Sequence, residues 1–311
     1  MQATPRKMGG VQRQGPPLMT QREGAVWLAA QVASRRVFAA GKLGTSETEA
    51  LWYYLAMRRG ETKYPYISDI KKNMTVNAGI FPATDEALDD WAQHMLGEVL
   101  PAIDGLAEWN TLNPLQEGQI LNAFSGKSKR FPARSLEPYY EDEQNVRWTF
   151  RIPDRTKVAV VSPFAESIAA QWAKQSAVWP TKSVWNPAIN LIPVKAHYSP
   201  SLCPDKTWSM DIESGGWRAA VRTLTEEVVR SGAKVALIGV GALSLPLAAA
   251  LKARGVAAIH TGGATQILFG IKGKRWTTHS VISTFFNDAW TTPTAAEVPS
   301  NSAAVEGGCY W

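Results

Sequence analysis

The chain of 311 residues has 33 basic and 27 acidic side chains, a net charge of +6 and a pI of about 9.3. Its 45% of hydrophobic and 19% of charged residues are typical of a globular protein. No apolar run approaches the roughly 20 residues that span a bilayer, which excludes a transmembrane protein. The cysteines, Cys203 and Cys309, are too few for a disulfide framework and favour a reducing, cytoplasmic location. The basic charge favours partners with phosphate groups, whether nucleic acid, an anionic membrane surface or a phosphorylated substrate.

The first part of the chain differs in composition from the rest. Residues 1–21 are rich in glycine, proline, glutamine and arginine and are predicted to form a disordered basic tail. Residues 22–311 contain no clear linker and are predicted to form a single α/β domain. Within them a strand–loop–helix unit recurs, beginning near residues 37, 157 and 235. Strands that alternate with helices predict a Rossmann-like fold, a mostly parallel sheet with helices on both faces.

Four further stretches complete the predicted domain. Residues 84–100 and 217–231 place apolar side chains at helical spacing, and Thr84 is the predicted N-cap of the first helix. Residues 116–150 are aromatic, charged and irregular, which predicts a surface excursion or lid. Residues 178–211 contain five prolines and are predicted to form an extended connection.

The third unit, residues 235–255, contains the most informative turn. An apolar strand leads into Gly239 and Gly241, which open a tight turn before a helix. Such a turn can present backbone N–H groups and a helix N-terminus to a phosphate group, and an ordinary turn without a ligand is the alternative. The dinucleotide fingerprint is incomplete, because Ser244 takes its sixth position and the next strand ends in His260 rather than an acid. The pattern therefore disfavours NAD(P).

The first unit places a carboxylate at the end of its strand. Ser46 and Glu49 have the spacing of a capping box, which gives both residues a structural task. Glu47 is then the unassigned acid at the carboxyl edge of a strand, where α/β sheets bind ligands. The alternative is a solvated acid that complements the helix dipole.

The remaining strand ends add further candidates. Ser162 and Glu166 follow the second strand, and we predict donor binding by Ser162 and a general-base role for Glu166. The alternatives are a capping hydroxyl and a water-facing acid. His260, Gly262 and Gly263 allow close approach of a phosphate or ribose, and a buried structural histidine is the alternative there.

A basic segment follows the histidine loop. Lys272, Lys274 and Arg275 could neutralise a diphosphate, or could form a solvated turn.

Several segments together resemble the GT-D fold glycosyltransferases. The GTSE sequence of residues 44–47, at a strand–helix turn, is similar to the Gly-Asp-Gly-Glu loop of that family. The sequences NAGIFP, VSPF and LIGVGA, at residues 77–82, 161–164 and 237–242, also fit. The strongest resemblance is to a branch of GT-D-like proteins often found beside surface-polysaccharide genes. It is carried by the sequences GGATQILFGIKGKRW and VEGGCYW, at residues 262–276 and 305–311.

The resemblance implies a GT-D-like glycosyltransferase that takes a sugar from a nucleotide sugar. A UDP-sugar is the donor that we expect first. It implies that the loop of Gly44, Thr45, Ser46 and Glu47 contacts the donor and holds Mn²⁺ or Mg²⁺ through Glu47. Thr45 stands where the family loop has aspartate, so only one carboxylate carries over. The basic segment would then be the alternative means of stabilising the leaving diphosphate.

The acceptor and the activity have alternatives. A glycan acceptor is the expectation from the family. A hydroxymethylated base in DNA, extruded into the pocket, is a second acceptor that the basic pI and the 13 tryptophans allow. A non-catalytic nucleotide-binding protein that retains the fold is the alternative from another class, and Thr45 is its best argument.

Overall fold

The computed structural model describes residues 17–108, 114–203 and 208–311 and is built around a seven-stranded sheet. All of the paired strands are parallel, and their order across the sheet is β3-β2-β1-β7-β6-β4-β5. The predicted α/β class with a parallel sheet is thereby confirmed. The strands are β1 (Ala39–Lys42), β2 (Gly105–Glu108), β3 (Lys129–Pro132), β4 (Lys157–Ser162), β5 (Asn190–Lys195), β6 (Val235–Ile238) and β7 (Ala257–His260).

Helices cover both faces of the sheet, as the alternating pattern predicts. The described helices are α1 (Gln21–Ala33), α2 (Thr45–Arg58), α3 (Ser68–Lys72), α4 (Asp85–His94), α5 (Leu100–Ala102), α6 (Pro114–Phe124), α7 (Ala165–Trp172), α8 (Gln175–Val178), α9 (Met210–Arg230), α10 (Ser244–Ala253) and α11 (Ala264–Leu268). Among the residues that the structure describes, no helix is both long and apolar enough to cross a membrane.

Two hydrophobic cores lie on the two faces of the sheet. The front core contains the buried side chains of α2, α4, α6, α9 and α10, and the back core contains those of α1, α7 and α11. Successive strand residues alternate between them: Val158 and Val160 belong to the back core, and Ala159 and Val161 to the front core. The central strands are therefore apolar on both faces, which explains their continuous hydrophobic runs.

The segment predicted as a surface excursion or lid is part of the fold. Residues 116–150 contain most of α6 and the edge strand β3, and the side chains of Phe131 and Trp148 are fully buried. The pattern hides this strand because it is short and carries Arg130, whose buried guanidinium pairs with Glu108 at 2.8 Å. The predicted lid is therefore wrong.

The predicted extended connection contains the opposite edge strand. Residues 178–211 include β5, which pairs with β4 along its whole length. Pro193 lies within β5, and an edge strand tolerates a proline because one side of its backbone has no partner strand.

The N-terminal boundary lies earlier than the predicted one at residue 22. Residues 1–16 of the predicted tail lie outside the described residues. Leu18 forms a bridge with Arg130, and Thr20 and Glu23 form a capping box at the start of α1. The fold therefore includes the last residues assigned to the tail.

Helix starts agree with the sequence at one site and differ at another. The Thr84 hydroxyl accepts the N–H of Ala87 at 3.2 Å, so the predicted N-cap of α4 is confirmed. Helix α2 begins at Thr45, and its N-cap is Gly44, which has no side chain with which to cap. The capping box expected from Ser46 is therefore wrong, because this residue already lies inside the helix.

Candidate functional site

A cavity of about 860 Å³ opens at the carboxyl edge of the sheet. Its lining includes Lys42 and His260, at the ends of the neighbouring strands β1 and β7. Strand β1 leads into α2 of the front core, whereas β7 leads into α11 of the back core. Neighbouring parallel strands whose following helices lie on opposite faces leave a crevice, which is where open α/β sheets bind ligands.

Most of the residues predicted from the sequence meet in the wall of this cavity. They come from the ends of β1, β4, β6 and β7 and from the basic segment. The lining includes Gly44, Thr45, Ser46, Glu47, Ser162, Gly239, Gly241, His260, Gly262, Gly263 and Arg275.

Three predicted residues lie outside the cavity wall. Glu166 is exposed and pairs with Lys195 at 3.6 Å, so the general base predicted here is not in the cavity. Lys274 is exposed, and the Lys272 ammonium lies 5.8 Å from the centre of the Phe286 ring. Only the arginine of the basic segment therefore reaches the cavity.

The glycine turn after β6 differs from an open phosphate loop. The N–H of Val240 donates to the Ser244 hydroxyl at 3.0 Å, and the N–H of Ala242 donates to the Ala78 carbonyl at 2.8 Å. Two of the amides expected to bind a phosphate therefore already have protein acceptors. Gly241 has a φ of +57°, and its hydrogen leaves space for the Ala78 carbonyl.

Replacing Gly241 by alanine is expected to destabilise the fold more than replacing Gly255. Both glycines have positive φ, but a Cβ on Gly241 would overlap the Ala78 carbonyl oxygen. A Cβ on Gly255 would have no atom of the described chain within 4 Å. We expect Gly255→Ala to cost about 1 kcal/mol from backbone strain, and Gly241→Ala to cost about 1–3 kcal/mol more. Urea unfolding of both variants measures the difference, and equal losses would contradict this account.

The helix N-terminus after β4 is occupied by a carboxylate of the chain itself. Glu297 Oε1 accepts the N–H groups of Glu166 at 2.8 Å and of Ser167 at 3.1 Å. The Ser162 hydroxyl accepts the N–H of Phe164 at 3.1 Å, a bond within the turn before α7, whose N-cap is Phe164. The start of α7 is thus an anion site that is already filled.

Charged side chains from two strand ends form the centre of the cavity. Burial lowers the pKa of the Lys42 ammonium, while the charges of Glu137 and Glu47 oppose that shift. Burial raises the pKa of Glu47, and its own backbone N–H and Lys42 oppose it. Lys42 therefore lies close enough to each of the two carboxylates to interact with its charge.

Glu137 is the acid that the sequence prediction missed. It follows β3 and lines the cavity, and burial raises its pKa to about 7 against the charge of Lys42. The assignment of residues 116–150 to a surface excursion hid it. The available signal was its place shortly after the short strand KRFP, which the sequence analysis did not recognise as a strand.

His260 is built into the wall as a neutral side chain. Its Nδ1 lies 3.1 Å from the Ile238 carbonyl oxygen, and only 5% of the residue is exposed. Burial lowers the pKa of His260 to about 3, and the charge of Lys42 acts in the same direction. A Cβ on Gly41 would lie 2.8 Å from the His260 Cβ, so this glycine makes room for the imidazole.

Aromatic rings and the Arg275 guanidinium, most of them from the C-terminal part of the chain, form one wall of the cavity. Arg275 donates to the Tyr310 hydroxyl at 3.0 Å and to Glu306 at 3.1 Å, and it lies 5.2 Å from the centre of the Trp276 ring. The Trp311 indole N–H donates to the Tyr198 hydroxyl at 3.3 Å. The wall therefore offers flat faces and a positioned cation, which suit a nucleobase and a phosphate.

The residues present do not fit a divalent metal held by the protein. Among residues 17–108, 114–203 and 208–311, no three His, Cys, Asp or Glu side chains are grouped to hold an ion. The charge beside Glu47 is the Lys42 ammonium, and Thr45 supplies no carboxylate. A hard divalent cation prefers several oxygen ligands with negative charge.

These features define an α/β protein with a parallel sheet and a cavity at its carboxyl edge, where the helices after β1 and β7 lie on opposite faces. Comparisons with models of known protein families, with curated proteins and with solved structures find no match. The similarity to the GT-D family therefore rests on the sequence motifs.

Proposed function

We propose that this protein is a glycosyltransferase that transfers a sugar from a nucleotide-sugar donor to a glycan hydroxyl. The donor that we expect first is a UDP-sugar. The observation that carries the proposal is the content of the cavity. Carboxylates, cations that include Lys42 and Arg275, and aromatic rings share a cavity of about 860 Å³ at the carboxyl edge of the sheet. A nucleotide sugar offers a flat base, a diphosphate and sugar hydroxyls, which are the partners that these groups bind.

The two cations support a diphosphate site. Burial lowers the pKa of Lys42, and the charge of Arg275 adds to that shift, so the two cations lie close enough to repel one another. A diphosphate between them would relieve this repulsion, and its charge would grow as the sugar leaves. Positioned cations stabilise such a charge without a metal ion. In this proposal Glu47 binds hydroxyls of the donor sugar, and Gly262 and Gly263 let the donor approach the backbone.

A donor screen tests the proposal. The full chain would be incubated with a panel of nucleotide sugars, with and without Mn²⁺ or Mg²⁺, and with glycan acceptors and hydroxymethylated DNA supplied separately. We expect mass spectrometry to detect a nucleoside diphosphate and a glycan that has gained one sugar. The Arg275→Gln variant is expected to bind the donor about 10- to 100-fold more weakly, because a charge-assisted hydrogen bond is lost.

The same screen separates the alternatives. Transfer to hydroxymethylated DNA alone would establish the second acceptor class. Donor binding without transfer to any acceptor would favour the non-catalytic nucleotide-binding protein. That alternative has support from Thr45 and from the turn after β6, whose Val240 and Ala242 amides have protein acceptors. Absence of donor binding would reject both the transferase and the nucleotide-binding protein.

A further inference from the structure

The cavity has carboxylates on two sides of one lysine. Glu47 follows β1, and Glu137 follows β3, which is two strands away on the side opposite β7. Lys42, at the end of β1, interacts with both carboxylates. The glycine pair and Arg275, which suit a donor, follow β7 in the chain and line the same cavity. The strands that lead to Glu137 and to the glycine pair, β3 and β7, therefore lie on opposite sides of β1 in the sheet.

We propose that Glu137 is the general base that removes the proton from the acceptor hydroxyl, and that the acceptor enters beside β2 and β3. This inference rests on the proposed glycosyltransferase function. The acceptor proton moves to the Glu137 carboxylate, and the acceptor oxygen forms a bond to the anomeric carbon of the donor. The bond from that carbon to the diphosphate oxygen breaks, and its electron pair leaves with the diphosphate toward Lys42 and Arg275.

Two other carboxylates that line the cavity are less suited to this role, and Glu47 is assigned to the donor sugar. Glu108 bonds to the buried Arg130 guanidinium at 2.8 Å, and Glu306 bonds to Arg275 at 3.1 Å. A carboxylate that is bonded to a guanidinium has an oxygen already engaged by an N–H donor, so taking up a proton would compete with the ion pair. The pKa of about 7 for Glu137 is close to the range in which a base is most effective.

The histidines of the cavity are also weaker candidates. Burial lowers the pKa of His260 to about 3 and also lowers the pKa of His197, so both are poor proton acceptors. The Nδ1 of His279 accepts the N–H groups of Val281 and Ile282, each at 3.2 Å, so the proton of the neutral ring lies on Nε2. Nε2 can then only donate a hydrogen bond, so the neutral His279 ring has no free nitrogen with which to accept a proton.

The Glu137→Gln variant tests the inference, with Glu143→Gln as its control. Glu143 lies on the same segment, its side chain is 53% exposed, and it pairs with Arg22 at the surface. We expect Glu137→Gln to lower kcat about 100-fold while KM for the donor stays within about threefold of wild type. Glu143→Gln should retain the wild-type kcat, and the thermal midpoints of both variants should match wild type.

The pH dependence adds a readout that a structural role would not change. A base acts only when unprotonated, so the wild-type kcat should fall as pH drops through the pKa of Glu137, about 7. This acid limb should be lost in Glu137→Gln. The difference between ¹³C carboxyl spectra of wild type and the variant would show whether the Glu137 resonance titrates in the same range.

Each outcome decides the inference. A Glu137→Gln variant with wild-type kcat would overturn it and leave the transferase intact. A variant that loses donor affinity in proportion to kcat would also overturn it, because Glu137 would then support the donor site. A wild-type protein that transfers no sugar would overturn both the inference and the proposed function.

Discussion

The Glu47→Gln variant is expected to lose sugar transfer, with kcat/KM reduced about 1000-fold or more. The side chain of Glu47 folds back over Gly44 at the start of α2 and lines the cavity beside Lys42. Glutamine retains the shape and the helical position but loses the negative charge. A neutral amide can neither balance the lysine nor bind sugar hydroxyls as strongly as a carboxylate does.

The measurement is kcat/KM with the donor that the screen identifies, combined with urea unfolding. We expect the free energy of unfolding to change by less than about 1 kcal/mol, because Glu47 is only partly buried in a cavity wall. Glu61→Gln is the matched control, since Glu61 is exposed and pairs with Arg59 at 2.6 Å. Full activity in Glu47→Gln would remove this residue from the site.

The Glu297→Ala variant is expected to lower the free energy of unfolding by about 3–5 kcal/mol. Glu297 is 1% exposed, and its carboxylate accepts the amides of Glu166 and Ser167 and hydrogen bonds from Thr294. Its removal leaves the first amides of α7 buried without their acceptor, together with the Ser167 hydroxyl.

Glu226→Ala is the matched control for this loss of stability. Glu297 pairs with Lys195 at 3.8 Å. Glu226 also pairs with a cation, Arg254, but both side chains of that pair are nearly half-exposed. A pair that water surrounds contributes about 0–1 kcal/mol, so this variant should unfold close to wild type. Urea unfolding of the two variants gives the comparison. Similar small losses would mean that other groups satisfy the start of α7.

The strands that could be predicted are those buried on both faces. Their apolar runs in β4, β6 and β7 stand out because helices cover each side of the sheet. Strands β2 and β3 have four residues each, GLAE and KRFP, and Glu108 of the first pairs with Arg130 of the second. A short stretch of sequence does not reveal a partner that is distant in the chain. The sequence pattern therefore does not predict these two strands.

The sequence predicts which loops form the site, but not how the side chains on those loops are arranged. Because parallel strands place their carboxyl ends along one edge, the ends of β1, β4, β6 and β7 meet as expected. The direction of each side chain is not a local property. The start of α7 looks open in the sequence, yet the carboxylate that fills it comes from Glu297, 131 residues after Glu166. Glu137 was missed for the same reason, because tertiary contacts alone place it beside Lys42.

The pairing of β1 with β7 has a consequence for the order of folding. These are the first and last described strands, and Ala39 lies opposite Ala258. A contact between residues so far apart in the chain forms late, because a long loop must close before the contact can stabilise anything. The crevice between the two strands does not exist until they meet. A ligand of this site can therefore stabilise the folded protein and slow its unfolding. It cannot guide the earlier steps of chain collapse, because its binding site has not yet formed.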